Sequence, residues 1–231
     1  MGRWDDWLDK LFPPPCQGCG EPADGAPFCA HCLPALRRNT HACLACALPL
    51  PAGAELCGQC LRKRPPQSRS LAPFLYAEPI DRLLTALKFR RDLAAGRALA
   101  GLVAEAATQA ALFDGIDLAV AVPLHPDRLR QRGYNQALEL LRGALRRQAV
   151  GLSLSALARQ RATTPQTGLD ARARRRNLRG AFVARSDLVR DRRVLLMDDV
   201  VTTGTTVGEA AATLLKAGAA EVRVLAVARV A

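Results

Sequence analysis

Residues 194–206 read V-L-L-M-D-D-V-V-T-T-G-T-T. Val194 to Met197 has the composition of a buried strand. Two adjacent carboxylates, Asp198 and Asp199, stand at its C-terminal end, and the turn Thr202 to Thr206 opens an apolar, alanine-rich helix. A strand, a tight turn and a helix in that order predict an open α/β sheet, which binds ligands at the carboxyl ends of its strands. A simple helix cap accounts for one Thr or Asp. It does not account for D-D followed by T-T-G-T-T.

The chemistry of the turn is specific. Backbone N–H groups at a helix N-terminus form an anion cradle, to which Thr202, Thr203, Thr205 and Thr206 add hydroxyl donors. Gly204 lets the backbone approach an anion closely. Asp198 and Asp199 would repel a phosphate, so they suit neighbouring sugar hydroxyls or a magnesium ion held through the ligand. A cradle for one phosphate beside acceptors for a diol is a site for a phosphorylated ribose.

The rest of the chain alternates strands and helices. Strands are expected at Leu71–Tyr76, Asp117–Val122, Arg192–Met197 and Glu221–Val227. Helices are expected at Ile80–Phe89, Leu93–Phe113, Asn135–Arg147 and Thr205–Ala217. The alternation predicts a mostly parallel sheet flanked by helices.

All eight cysteines lie between residues 16 and 60, in the pairs Cys16/Cys19, Cys29/Cys32, Cys43/Cys46 and Cys57/Cys60. Four C-x-x-C knuckles in a chain read as cytosolic predict two structural zinc sites of four thiolates each, rather than disulfides. Redox C-x-x-C pairs usually come singly beside a strand, which disfavours that chemistry. Sequential pairing of knuckles is favoured, because each loop can close alone; alternating pairing would make a cross-brace. His31 and His41 are read as bystanders. So small a module has little apolar core, and zinc would supply on the order of 10 kcal/mol of folding energy per site.

Lys and Arg number 33 against 21 Asp and Glu, a net charge of +12. That favours anionic partners: nucleic acid, nucleotides, phosphates or an acidic membrane. The excess is almost all arginine, which suits phosphate; a GC-rich coding sequence would give the same bias. No stretch approaches the length of a membrane span, and residues 1–10 carry three aspartates and no apolar signal region. Trp4, Trp7, Leu8 and Leu11 share a helical face, read as a short helix docked on the protein rather than a membrane anchor. The expected location is the cytoplasm.

Two basic segments complete the reading. V-P-L-H-P-D-R-L-R-Q-R-G-Y-N-Q, residues 122–136, follows a strand and places His125 and Arg128 near the acids. Residues 159–182 form an arginine-dense, loop-like stretch fit to close over an anion or to bind nucleic-acid phosphates.

The 194–206 stretch closely resembles the PRPP (5-phosphoribosyl diphosphate) loop of type I phosphoribosyltransferases. The acids would contact the ribose 2′- and 3′-hydroxyls and the turn would hold the 5′-phosphate. With the four knuckles, L-K-F at 87–89, V-P-L-H at 122–125, R-G-Y-N-Q at 132–136, T-x-x-Q at 163–166, R-x-x-N at 174–177 and G-A-F at 180–182, nearly the whole chain resembles the ComF family. The resemblance implies a zinc-ribbon module with an N-terminal helix at residues 1–64 and a type I phosphoribosyltransferase-like domain at 65–231. It implies PRPP bound with magnesium, Lys88, His125 and Arg128 balancing the pyrophosphate, and a flexible loop from Thr163 to Asn177. It further implies a role in natural competence and DNA uptake, with single-stranded DNA and competence-machinery proteins as partners. Two readings result: a pentosyl-transferring enzyme, or a single-stranded-DNA-binding protein whose transferase site is regulatory or vestigial.

Overall fold

The computed structural model describes residues 15–23, 25–161 and 180–231. The short helices α1 (Cys32–Ala35) and α2 (Gly58–Arg62) belong to the cysteine-bearing segment. There follow β1 (Arg69–Leu71), β2 (Phe74–Leu75), α3 (Ile80–Arg90), α4 (Leu93–Gln109), β3 (Leu118–Ala121), α5 (Pro126–Arg132), α6 (Gln136–Ala144) and β4 (Gly151–Ser153). The chain ends with β5 (Leu157–Arg159), β6 (Phe182–Ala184), α7 (Ser186–Val189), β7 (Arg193–Val201), α8 (Thr205–Lys216) and β8 (Glu221–Arg229).

Six strands form one sheet in the order β1-β8-β7-β3-β4, with β2 also paired to β8. Every pairing in it is parallel. Successive side chains of a strand face opposite ways, and both faces here are covered. Val194 and Leu196 of β7 join a core with Val207, Ala210 and Leu214 of α8. Leu195 and Met197 join the opposite core with Leu84, Leu99 and Leu140 of α3, α4 and α6. Strands buried on both faces read as unbroken apolar runs, and each buried Leu or Val contributes about 1.5–3 kcal/mol. β5 and β6 form a separate antiparallel pair, packed through Leu157 and Phe182 on the α8 side.

The cysteine segment is set into this body. Cys16, Phe28 and Leu36 share the core of α3 and α4, whereas Cys43, Ala45, Cys57 and Cys60 form a small core of their own.

Some boundaries differ from the sequence expectation. The strand at 71–76 is two short strands, because Pro73 between them has no N–H to give a ladder. The long helix stops at Gln109 rather than Phe113: Ala111 turns left-handed (φ 52°), and Leu112 and Phe113 are buried in the core. β7 runs on to Val201, since β8 offers partners to Asp198, Val200 and Val201. The basic stretch after Pro123 contains a helix, α5. The Trp4, Trp7, Leu8 and Leu11 face and the loop from Thr163 to Asn177 lie outside the described residues.

Candidate functional site

The carboxyl ends of β3, β7 and β8 open into one cleft of about 930 Å³. Its lining includes Lys88, Arg128, Asp198, Asp199, Thr202 and Thr206 from the sequence reading. His125 is not in that lining; it is the N-cap of α5, and its Nδ1 accepts a hydrogen bond from the Asp127 N–H at 3.3 Å. Thr203, Gly204 and Thr205 form the turn behind Thr202. Thr203 and Thr205 share a hydroxyl–hydroxyl hydrogen bond of 2.8 Å. Gly204 caps α8 at φ 75°, and a Cβ placed on it would meet nothing within 4 Å. Its lack of a side chain is therefore a matter of backbone conformation, not of space.

The two acids differ. Asp199 is 6% exposed and pairs with Lys88. Burial raises the pKa of Asp199, but the charge and hydrogen bond of Lys88 outweigh it and hold the carboxyl below its ordinary range. Burial lowers the pKa of Lys88, and the charge of Asp199 outweighs it, so the ammonium is retained. Asp198 is raised well above its ordinary value by burial first and by the charge of Asp199 second. Burial and mutual repulsion thus push the two proton affinities apart, Asp198 upward and Asp199 downward, as expected for adjacent acids.

The R-G-Y-N-Q segment adds Arg132 and Gln136 to the lining. Asn135 caps α6 and donates from Nδ2 to the Val122 carbonyl at 3.0 Å, tying that helix to the end of β3. Buried Gln136 accepts from Arg132 at 2.6 Å and donates to Asp199 at 3.5 Å. Arg132 also lies over the Phe89 ring, 5.5 Å from its centroid.

Arg159, at the end of β5, completes the cationic side and packs over the Phe182 ring at 5.6 Å. Burial, then the nearby charge of Arg128, push its pKa down, against the charge of Asp198. Sequence reasoning misses Gln136 and Arg159 as site residues. Gln136 stands within R-G-Y-N-Q and Arg159 opens the basic stretch, but their places in the cleft depend on Asp199 and Arg128, distant in the chain.

The eight cysteines form two clusters. Cys16, Cys19, Cys29 and Cys32 gather in one, Cys43, Cys46, Cys57 and Cys60 in the other, with the ligand atoms of each within 4.8 Å of one another. This is the sequential pairing. Backbone N–H groups of Gly18 and Cys29 donate to Cys16 Sγ, and that of Cys57 to Cys43 Sγ, each at 3.3 Å. Burial would raise the Cys16 thiol, but those N–H bonds bring it down to about 6. Hydrogen bonding with the other thiols, Cys19 first, pushes Cys32 up to about 12. Four thiols this close cannot all ionise without a cation, and the donor set suits tetrahedral zinc. A Cβ on Gly18 would fall 2.7 Å from Cys32 Sγ, so the knuckle excludes a side chain there.

A parallel sheet, a D-D-x-x-T-T-G-T-T turn at its carboxyl edge and two four-cysteine clusters define a phosphoribosyltransferase-like protein with a double zinc ribbon. Family models agree: residues 7–61 match the double zinc ribbon domain and residues 138–231 the phosphoribosyl transferase domain. The chain belongs to the ComF family. It is 39% identical over 201 residues to the DNA utilization protein YhgH of Escherichia coli O157:H7, covering 85% of this chain and 88% of the relative. It is 34% identical over 221 residues to competence protein F of Haemophilus influenzae, covering 93% and 90%. Competence protein ComFC of Streptococcus pneumoniae matches at 30% over 110 residues, 48% of this chain and 47% of that one.

Proposed function

We propose that this chain binds PRPP with magnesium in the cleft at the ends of β3, β7 and β8, and acts as a phosphoribosyltransferase in competence and DNA uptake in the cytoplasm. The observation that carries the reading is a single cleft lined by Asp198, Asp199, Thr202 and Thr206, at and just beyond the end of β7, together with Arg128 and Arg159. The turn takes the 5′-phosphate through N–H groups at the α8 N-terminus. Asp199, kept ionised by Lys88, accepts from a ribose hydroxyl, and Asp198 faces the neighbouring one. Arg128 and Arg159 place converging positive charge where a diphosphate would lie.

No covalent nucleophile is required. The C1–O bond of the ribose breaks, the electron pair leaves with pyrophosphate, and an amine attacks C1 and then gives up its proton to the released pyrophosphate or to water. Arg128 and Arg159 stabilise the leaving anion, while His125 contributes as the cap that fixes the start of α5, the helix that carries Arg128. The acids favour the positive charge developing on the sugar and hold its orientation. Magnesium would be held through the ligand beside Asp198 and Asp199, and would supply neutralisation of diphosphate charge.

The reading predicts that ribose 5-phosphate and pyrophosphate each displace labelled PRPP, both more weakly than PRPP itself. Failure of both to compete would count against a composite phosphate–ribose–diphosphate cleft.

The high positive charge supports a second role, that of gripping single-stranded DNA. Such binding would fall steeply with salt, since neutralised phosphates release counterions. Salt-insensitive binding, or none, would remove this role and leave the first untouched.

A further inference from the structure

The first knuckle of the second ribbon gives four consecutive carbonyls to the rest of the protein. Leu44 O accepts from the Ser70 N–H at 2.8 Å. Ala45 O accepts from Ser70 Oγ at 2.8 Å and Gln67 Nε2 at 3.1 Å. Cys46 O accepts from Arg229 Nε at 3.2 Å, and Ala47 O from Asn39 Nδ2 at 2.9 Å.

Of these donors, Arg229 also reaches the phosphate turn. It is the last residue of β8 and only 7% exposed. Its Nη1 donates to Val201 O at 3.2 Å and to the carbonyls of Thr202 and Val230. Val201 ends β7 and Thr202 begins the turn. One buried guanidinium therefore holds a carbonyl of a metal-site cysteine with one nitrogen and the entry to the turn with another.

Two physical consequences follow. A peptide plane is rigid, with its C=O and N–H pointing opposite ways. Pinning the Thr202 carbonyl sets the direction of the Thr203 N–H, an early donor of the cradle. In addition, a buried cation needs compensation. The Cys46 carbonyl that Arg229 holds belongs to a metal-site knuckle, so freeing that knuckle from its metal loosens one end of the bridge to the turn.

We propose that Arg229 is a positioning residue that couples metal occupancy of the Cys43/Cys46/Cys57/Cys60 site to the shape of the Thr202–Thr206 turn. The inference rests on the reading of that turn as a phosphate cradle. With the metal in place the turn is held ready for an anion; without it the turn loosens. By reciprocity, an anion in the turn slows metal loss from the second ribbon.

The test uses the full chain loaded with zinc. Hydrogen–deuterium exchange at residues 203–206 is measured in wild type, R229Q, R229K and a control, Q67A, whose side chain touches the ribbon but not the turn. Zinc content and exchange in β3 report that the fold is intact. R229Q is expected to keep its zinc while exchange at 203–206 quickens and ribose 5-phosphate affinity falls, each by about fivefold to tenfold. R229K should be intermediate and Q67A should leave the turn unchanged; if R229Q does not fold, R229K against Q67A makes the same comparison. Saturating ribose 5-phosphate should slow chelator-driven release of the second zinc in wild type and not in R229Q. Wild-type exchange at 203–206 in the Arg229 variants, or equal protection of zinc in R229Q, would overturn the coupling. If wild type binds no ribose 5-phosphate, the cradle reading fails, while the exchange comparison still decides whether Arg229 sets the turn.

Discussion

Lys88 of α3 closes an ion pair with Asp199 of β7 and holds that carboxyl below its ordinary range, while burial and Asp199 push the adjacent Asp198 up. The pair joins the L-K-F segment to the D-D segment across 111 residues of chain, the difference between positions 88 and 199.

Replacing Lys88 with Met should destabilise the protein. Asp199 would remain buried without its counter-charge, at a cost between about 1 kcal/mol, as for exposed pairs, and about 3 kcal/mol, as for buried ones. Asp199 has a depressed folded pKa, so its stabilisation is present above the ordinary carboxylate range and lost as pH falls through the folded value. The cost of Lys88→Met in urea denaturation should therefore shrink on going from pH 7 to pH 3. An equal cost at both would show that the pair contributes nothing electrostatic.

Asp198→Asn should do the reverse. The folded pKa of Asp198 is raised by burial and by Asp199. Such a group favours the folded state below its unfolded pKa, and that advantage is lost as pH rises through the folded pKa. At pH 7 the Asn variant should be the more stable, and the gain should vanish below the carboxylate range. Thermal melts across pH check this, and a destabilised variant at pH 7 would contradict it. Greater stability with weaker ligand binding would mark a residue kept for function.

Gly204→Ala tests the turn. A non-glycine residue at φ 75° costs roughly 1–2 kcal/mol, and the surrounding space is open. Stability should fall by about that amount in denaturant titrations, and phosphate affinity should fall with it. A neutral effect on both would show that the turn does not hold this conformation.

Much of the site was legible in the sequence because its chemistry is local. Asp198 to Thr206 is contiguous, and the cysteines declare themselves by spacing. What was hidden depends on partners distant in the chain. β7 outlasts Met197 because β8 continues beside it, pairing Val201 with Arg229. α5 has no buried residue, so apolar periodicity could not reveal it, although Pro126 behind a capping His125 is a helix-start signal. Arg229 sits in an apolar strand and looks like its polar end; only the fold shows that it meets Cys46 and Thr202. Gln136 and Arg159 gain their meaning the same way, from Asp199 and from Arg128.

Metal analysis should find two zinc ions per chain, one for each cluster. The paired substitution Cys57→Ser/Cys60→Ser should leave one, held by Cys16, Cys19, Cys29 and Cys32. Loss of both ions from that variant, with the sheet still folded, would argue for knuckles shared between sites.

The most direct measurement is calorimetric titration of the zinc-loaded protein with PRPP and magnesium, beside the Asp198→Asn/Asp199→Asn double variant. The account predicts saturable one-site binding by the wild type and none by the folded variant. Equal binding by both, or none by a folded and zinc-replete wild type, would contradict a phosphoribosyl site at these acids.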